Sequence, residues 1–248
     1  MNNNFIKIWF SDKQKEIRNL QIFLLYKIFK NQAKLTFKGG TALDIFYNSG
    51  RFSEGLDFDA DNLEELVVID EGLDSIKKET NFAIFNNWYN DRHIYKNFIR
   101  YYLKISSPKL TDLFDFVIDY TIDRTEKPSD KFNISINNMA IKISVMQSSE
   151  MLAEKAAAIL TRSKPRDLYD LYYLAVIKKV PIEAKLIYKK SFKKFSEKKP
   201  VPYSFDVFEK KIYELKPYWN DLSALINNFE DYDFNDIADN ILKRFKNV

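Results

Sequence analysis

A glycine pair at the end of a short apolar segment constrains the fold of this chain more than any other feature. Leu35 to Lys38 is predicted as a strand that ends at a Gly39-Gly40 turn, where the backbone can approach a neighbouring group closely. Thr41 then starts a helix, with Asp44 in the position of the usual Glu of a capping box. Because unpaired N–H groups at a helix start suit a phosphate, the motif predicts an anion-binding turn.

A second strand with two acidic residues follows this helix. Asp57 and Asp59 alternate with Leu56 and Phe58, after a turn at residues 48–50. Residues two apart in a strand share a face, so the two carboxylates project together. Paired carboxylates suit a divalent metal ion. A phosphate-binding turn beside metal-binding carboxylates is typical of sites that transfer a nucleotidyl or phosphoryl group.

Three separate segments carry a resemblance to a known family. The segments FKGGTAL…RFSEGLDFD (37–59), EMLAEK (150–155) and KPRDLYDL (164–171) occur in the order that the AbiEii/AbiGii toxin family of nucleotidyltransferases shows. That family is a branch of the polymerase-β-like superfamily. The resemblance covers about residues 30 to 175 and fades beyond them.

The resemblance implies an activity and a set of site residues. The expected reaction transfers a nucleotide from a nucleoside triphosphate, with Mg²⁺ or Mn²⁺, to an RNA such as tRNA or to a protein hydroxyl. A cognate antitoxin is the expected partner. The triphosphate would bind at Gly39, Gly40 and Thr41, and Lys155 would neutralise its developing negative charge. The metal would bind Asp57, Asp59 and Asp119.

The chain departs from the family pattern at Gly55. Such sequences usually have Asp there, which gives an acidic pair at positions 55 and 57, whereas the pair available here is Asp57 and Asp59. The second carboxylate is therefore displaced by two residues along the strand, about 6.6 Å. Either the strand adopts a different register, or this chain binds metal poorly and has lost activity. The alternative function is thus a catalytically impaired nucleotide-binding protein, or an RNA-binding or partner-binding protein.

The third carboxylate is assigned by analogy within the superfamily. Residues 99–105 and 114–121 are predicted as strands because they are rich in β-branched and aromatic residues. Polymerase-β-like enzymes place a third carboxylate on a strand beside the acidic pair, and Asp119 is the first choice here, with Asp115 in reserve. An edge strand with a solvated acidic face explains both residues equally well.

Two helices after residue 147 contribute the remaining candidate site residues. In the resembled family, the Lys of the first helix and the Asp of the second belong to the active site, and these correspond to Lys155 and Asp167. Lys155 would offset phosphate charge, and Asp167 would orient Lys155 or the acceptor. The alternative is a salt bridge between two helices. Glu154, adjacent to Lys155, is predicted to point away from the buried helix face.

A lysine-rich segment follows the resembled region. Residues 178–199 hold nine Lys against Glu183 and Glu197, with Tyr188, Phe192 and Phe195 interleaved. Such a segment suits an RNA backbone, and it equally suits an amphipathic helix with a solvated lysine face.

Composition limits the remaining possibilities. The 248 residues include no Cys and one His, which excludes disulfides, thiolate metal sites and His-rich metal sites. No segment approaches a membrane span, so a cytoplasmic protein without a membrane partner is expected. Periodicity predicts a helix over 12–31, and a helix over 63–70 that ends near Gly72 before a second short helix. The fold expected is α/β: a polymerase-β-like nucleotidyltransferase domain with a mixed sheet (1–146), then a C-terminal helical bundle (147–248).

Overall fold

The computed structural model describes residues 5–86, 92–95, 97–122, 125–136, 139–193 and 203–246. The chain divides into two units. The first comprises Met1–Tyr47 and Phe52–Met146, and the second comprises Asn48–Arg51 and Gln147–Val248. The four residues Asn48–Arg51 therefore belong with the C-terminal half, although they lie inside the N-terminal motif.

The first unit is built on a mixed sheet. Within the described residues its eight strands are β1 Thr36–Lys38, β2 Leu56–Ala60, β3 Ala83–Ile84, β4 His93–Tyr95, β5 Phe98–Ser106, β6 Phe114–Ile122, β7 Asp130–Ile136 and β8 Met139–Val145. Their order is β3-β5-β6-β2-β1-β8-β7, with β4 also paired to β5. The pairs β1–β8 and β2–β6 are parallel, and the other pairs are antiparallel. The mixed α/β fold class that the sequence predicts is confirmed.

One face of the sheet forms the core of the first unit. In β5 the buried residues alternate with Arg100, Tyr102 and Lys104, which are partly or fully exposed. This alternation is expected for a strand that is covered on one face only. Helix α1, Asp12–Phe29, packs on the buried face, where the ring of Phe29 contacts that of Phe58.

Helix α2, Gly39–Tyr47, is held by a buried ion pair. The Arg18 guanidinium on α1 lies 2.5 Å from one Asp44 oxygen, and the Lys7 amine lies 2.5 Å from the other. Because the Asp44 oxygens bind these cations and α2 begins at Gly39, the predicted capping box starting at Thr41 is wrong. A buried carboxylate without such partners would carry a large desolvation cost, so this pair locks α2 onto α1.

Helix α3 corrects the prediction of two short helices. It runs without interruption through Leu66–Glu79, and Gly72 lies inside it. A Cβ placed at Gly72 would meet only side-chain atoms of α1 at 3.6 Å or more, so an alanine would also fit between α3 and α1 at this position. Tertiary packing has thus overridden the helix-ending tendency of glycine.

The second unit is helical. Its α-helices are α4 Ser148–Thr161, α5 Pro165–Tyr172, α6 Ala184–Lys193, α7 Phe205–Tyr213 and α8 Phe234–Phe245. A π-helical turn Tyr173–Ile177 follows α5, and 3₁₀ turns cover Lys216–Leu222 and Phe229–Asp231. Residues 150–160 of α4 are all buried, since α4 packs against α5, α6 and α7. The prediction that Glu154 points away from the buried face is wrong: Glu154 and Glu150 both bind the buried amine of Lys190, at 3.3 and 2.5 Å.

Candidate active site

The glycine pair joins β1 directly to α2 and brings the backbone against a carboxylate. Gly39 has a φ of +77°, and a Cβ placed there would lie 2.1 Å from an oxygen of Asp57. The Asp57 carboxylate therefore occupies the space that any side chain at position 39 would need. Both the positive φ and this close approach require glycine.

Two of the predicted carboxylates are direct neighbours in the sheet. Asp57 on β2 is the register partner of Asp119 on β6, in a parallel pair of strands. Asp59 lies two residues beyond Asp57 on the same face and is buried. The exposed Asp115 lies four residues before Asp119 on β6. Of the two alternatives on this strand, Asp119 is thus the one beside the acidic pair.

Protein cations bind two of these carboxylates. The Lys38 amine lies 2.6 Å from Asp59, and the Thr125 hydroxyl donates a hydrogen bond to the same carboxylate at 3.2 Å. The Arg100 guanidinium binds both oxygens of Asp119, each at 2.6 Å. Within the described ranges, no group of three or more His, Cys, Asp or Glu side chains has the spacing to hold a metal ion.

The structure gives Gly55 a packing role. A Cβ placed at Gly55 would lie 2.7 Å from the carbonyl oxygen of Val117 on β6, which is closer than real Cβ atoms approach. The Gly55 carbonyl accepts a hydrogen bond from the Thr41 hydroxyl at 2.6 Å. The acidic residue that usually occupies this position has no space here without movement of the backbone.

The predicted residues of the second unit form a buried charge cluster. The Lys155 amine on α4 lies 3.1 Å from Asp167 and 2.6 Å from Asp170, both on α5. Asp167 also accepts two hydrogen bonds from the Arg162 guanidinium, at 2.7 and 2.9 Å. Arg51 binds Asp170 through two hydrogen bonds of 2.8 Å. The cluster thus contains three cationic side chains and two carboxylates. Its net positive charge would suit the binding of an anion.

Sequence reasoning missed Arg51 and Asp170 as parts of this cluster. Arg51 opens the RFSEGLDFD segment, and Asp170 lies one helical turn after Asp167 on the same side of α5. The two residues are 119 positions apart, so their spacing in the sequence does not indicate that they meet. The sequence feature that could have indicated it is that each lies in one of the motifs that carry the family resemblance. Burial raises the pKa of Asp170, but Arg51 and Lys155 lower it by more, so the pKa lies below its ordinary value.

The fold, a mixed sheet with a glycine turn between β1 and α2 and a helical second unit, is similar to that of solved nucleotidyltransferases. The model of the family of nucleotidyl transferase AbiEii toxins, from type IV toxin–antitoxin systems, matches residues 24–243. The chain belongs to this family and is a nucleotidyltransferase. Membership implies a nucleoside triphosphate substrate and a cognate antitoxin. No curated protein matches the chain in sequence.

Solved structures share the fold at low sequence identity. MenT4, a nucleotidyltransferase toxin from Mycobacterium tuberculosis, is 19% identical with a TM-score of 0.66, over 95% of this chain and 84% of that chain. JHP933 from Helicobacter pylori is 18% identical with a TM-score of 0.58, over 95% of this chain and 91% of that chain. No helix of the described residues is sufficiently long and apolar to cross a membrane.

Gly55→Ala should destabilise the protein by about 1–3 kcal/mol, because the new methyl group would collide with the Val117 carbonyl. Gly72→Ala is the matched control: its methyl group finds ordinary contacts, so the change should be neutral or stabilising by up to about 1 kcal/mol. Urea unfolding, followed by tryptophan fluorescence, measures both. Equal effects of the two substitutions would contradict the close approach at Gly55.

Asp170→Asn should destabilise the protein by about 3–5 kcal/mol near pH 7, because Arg51 loses the charge that compensates it. Since the pKa of Asp170 is lowered by folding from its ordinary 3.8, its carboxylate stabilises the native state above that pH. This contribution declines as the pH falls through the lower, folded-state pKa.

The difference in free energy of unfolding between wild type and Asp170→Asn should therefore be largest at pH 5–7 and narrow below about pH 4. Asp221→Asn, at an exposed position of the same unit, should differ little from wild type throughout. A difference for Asp170→Asn that stays constant across this range would show that the carboxylate charge is not what stabilises the cluster.

Proposed function

We propose that this protein transfers a nucleotide from a nucleoside triphosphate to the hydroxyl of an RNA, with tRNA as the leading acceptor and a protein hydroxyl as the alternative. The hydroxyl oxygen attacks the α-phosphorus, the bond to the β-phosphate breaks, pyrophosphate leaves, and the hydroxyl proton passes to water. The observation that carries the proposal is the Asp57 carboxylate, packed against Gly39 and paired in register with Asp119.

The chemistry of these side chains, though not their spacing, suits a hard divalent cation such as Mg²⁺ or Mn²⁺. Asp57, Asp59 and Asp119 supply only carboxylate oxygens, on one face of neighbouring strands, and Lys38 and Arg100 already place positive charge against two of them. When bound, the metal would supply Lewis-acid stabilisation of phosphate charge. Asp57 and Asp119 are the proposed main ligands because they are register partners, and Asp59 is the proposed third.

The other predicted residues take roles in phosphate binding. Gly39, Gly40 and Thr41, at the start of α2, offer backbone N–H groups to the triphosphate. Lys155 offsets phosphate charge during transfer, and Asp167 orients Lys155 through their 3.1 Å contact. We further propose that residues 1–146 form the nucleotidyltransferase-like domain and residues 147–248 a helical bundle domain.

The exposed side of α6 supports RNA as the acceptor. Lys185, Tyr188, Lys189 and Phe192, here called the α6 stripe, follow helical spacing and are all exposed, while the residues between them are buried. The rings of Tyr188 and Phe192 lie 4.6 Å apart. Exposed lysines beside exposed aromatic rings suit the phosphates and bases of RNA. The end of the lysine-rich segment, residues 194–199, lies outside the described residues.

Asp57→Asn should reduce nucleotide transfer by about a hundredfold or more, because it removes a carboxylate charge proposed to hold the metal ion that would stabilise the transferred phosphate. Asp115→Asn is the matched control: it makes the same change at an exposed position of β6, so it should retain activity close to wild type. Transfer is measured with each labelled nucleoside triphosphate on total RNA and on purified tRNA, together with pyrophosphate release.

Calorimetry of triphosphate binding, with and without Mg²⁺, then distinguishes a transferase from a catalytically silent nucleotide-binding protein. Mg²⁺-dependent triphosphate binding that Asp57→Asn abolishes supports the transferase. Triphosphate binding that is indifferent to both Mg²⁺ and the substitution, without pyrophosphate release, would show instead a catalytically silent nucleotide-binding protein.

The double substitution Lys185→Gln with Lys189→Gln should weaken tRNA binding and reduce the slope of log affinity against log salt by about 2. Lys77→Gln with Lys78→Gln removes the same charge from exposed positions of α3, so it controls for net charge. Filter binding over a salt series measures both. Equal RNA binding by the two variants, with loss of antitoxin binding in the first alone, would assign the α6 stripe to a protein partner.

A further inference from the structure

Three aromatic rings are exposed on the face of the sheet that α1 leaves uncovered. Tyr102 on β5 is 40% exposed, and Phe85, one residue after β3, is 64% exposed. His93 on β4 is also exposed, and the centre of its ring lies 5.0 Å from that of Tyr102. We call Phe85, His93 and Tyr102 the aromatic patch.

Strand register places the three rings on one face. His93 is the register partner of Arg100. The Phe85 N–H donates a hydrogen bond to the Lys104 carbonyl at 2.9 Å, which extends the β3–β5 pairing by one residue. Register partners in neighbouring strands share a face, and so do residues two apart in one strand. Arg100, Tyr102 and Lys104 on β5 therefore lie on the same face as the other two rings.

The cations between the rings are balanced by carboxylates on β6. Arg100 binds Asp119, and Lys104 is the register partner of Asp115. The aromatic patch therefore offers ring surface with little net charge. A flat ring system with polar edges, such as a nucleobase, can stack on these rings while its edges contact the charged side chains. An apolar protein surface would instead bury the charged groups away from water, at a cost in free energy.

The aromatic patch lies beside the proposed site of transfer. Asp119 is the register partner of both Arg100 and Asp57, so these three residues cross β5, β6 and β2 in one row. Tyr102 is two residues along β5 from that row, and it is therefore a diagonal neighbour of Asp119, with about 7–8 Å between their Cα atoms. The patch and Asp57 thus share one continuous face of the sheet.

In-line transfer assigns the aromatic patch to the acceptor. The proposed triphosphate site at Gly39 and Gly40 follows β1, and the strand order β5-β6-β2-β1 separates β1 from β5 by about 14 Å. In transfer at phosphorus, the attacking and leaving oxygens lie on opposite sides of the phosphorus atom. If pyrophosphate leaves towards the glycine turn, the acceptor approaches from the side of β6 and β5.

We propose that unpaired bases of the acceptor RNA stack on the aromatic patch, principally on Tyr102 and Phe85, and that this stacking holds the RNA on the face of the sheet where transfer takes place. This inference rests on the proposed function, because it places the patch on the acceptor side of the reacting phosphate. It gives the RNA a binding site in the first unit that is separate from the α6 stripe, and RNA binding there needs no metal ion.

The test measures binding of a fluorescently labelled, single-stranded oligoribonucleotide by anisotropy, in EDTA so that no divalent ion contributes. Tyr102→Ala should weaken binding about tenfold, because a stacked base loses its ring. Tyr102→Phe keeps the ring and should bind within about twofold of wild type. The slope of log affinity against log salt should stay unchanged in both variants, because no phosphate contact is lost. The same strand in a duplex should bind wild type and Tyr102→Ala equally, since paired bases cannot stack on the patch.

Nucleotide transfer to tRNA provides a second measurement. Tyr102→Ala should raise the KM for tRNA about tenfold and change kcat little, because the ring binds the acceptor equally before and during the reaction. The dissociation constant of the nucleoside triphosphate should stay unchanged. Weaker triphosphate binding with unchanged RNA affinity would show that the base of the donor nucleotide occupies the patch, and would overturn the assignment to the acceptor.

Tyr218→Ala is the matched control. Tyr218 is 50% exposed in the 3₁₀ turn of the second unit, so this substitution removes an exposed ring away from the patch and should leave RNA binding unchanged. Thermal unfolding confirms that each variant is folded before the comparison. Phe85→Ala, at a more exposed position than Tyr102, should weaken RNA binding about fivefold and provides the test if Tyr102→Ala proves unstable.

The outcomes separate this inference from the proposed function. Unchanged RNA affinity in both Tyr102→Ala and Phe85→Ala, with normal nucleotide transfer, overturns the stacking site and leaves the transferase in place. RNA binding that depends on Tyr102, in a protein that transfers no nucleotide to RNA, supports the stacking site and overturns the transferase. Weaker binding of the purified antitoxin to Tyr102→Ala, with unchanged RNA binding, assigns the patch to a protein partner and overturns this inference.

Discussion

The cost of burying a carboxylate away from water organises both units of this protein. An ionised group taken out of water needs a cation and hydrogen bonds in good geometry, and loss of one partner leaves an expensive isolated charge. In both units, buried acidic side chains are satisfied by cations from distant parts of the chain: Arg18 with Asp44, Lys38 with Asp59, Arg51 with Asp170, and Lys190 with Glu150 and Glu154. These pairs hold α2, β2, α4 and α5, which carry the candidate site residues other than Asp119.

The same constraint gives the candidate active site its character. A face that collects Asp57, Asp59 and Asp119 on neighbouring strands would repel itself without positive charge, and Lys38 and Arg100 provide that charge. In the structure the charges of Asp59 and Asp119 are thus matched by protein cations.

The departure at Gly55 acquires a physical explanation. The family pattern usually has an acidic residue there, but in this chain position 55 lies against the backbone of β6 and its carbonyl accepts the Thr41 hydroxyl. Glycine allows β2 and β6 to approach closely at this point, and the same parallel pair brings Asp57 beside Asp119. The sequence change at Gly55 is thus compatible with a carboxylate pair formed across two strands, whereas a comparison along one strand alone suggests a damaged site.

The sequence by itself determined the local features of this protein. The glycine turn between strand and helix and the shared face of Asp57 and Asp59 follow from short spacing and residue type. The family membership and the choice of Asp119 rest instead on resemblance to known nucleotidyltransferases. The tertiary structure decided what depends on register and packing. Whether Gly72 ends a helix, which carboxylate lies opposite Asp57, and which cation meets Asp119 or Asp170 are set by contacts between segments far apart in the chain. Local propensities contribute at most about 1 kcal/mol per residue. Burial of a charge or of a helix face changes the free energy by several kcal/mol, so the long-range contacts prevail.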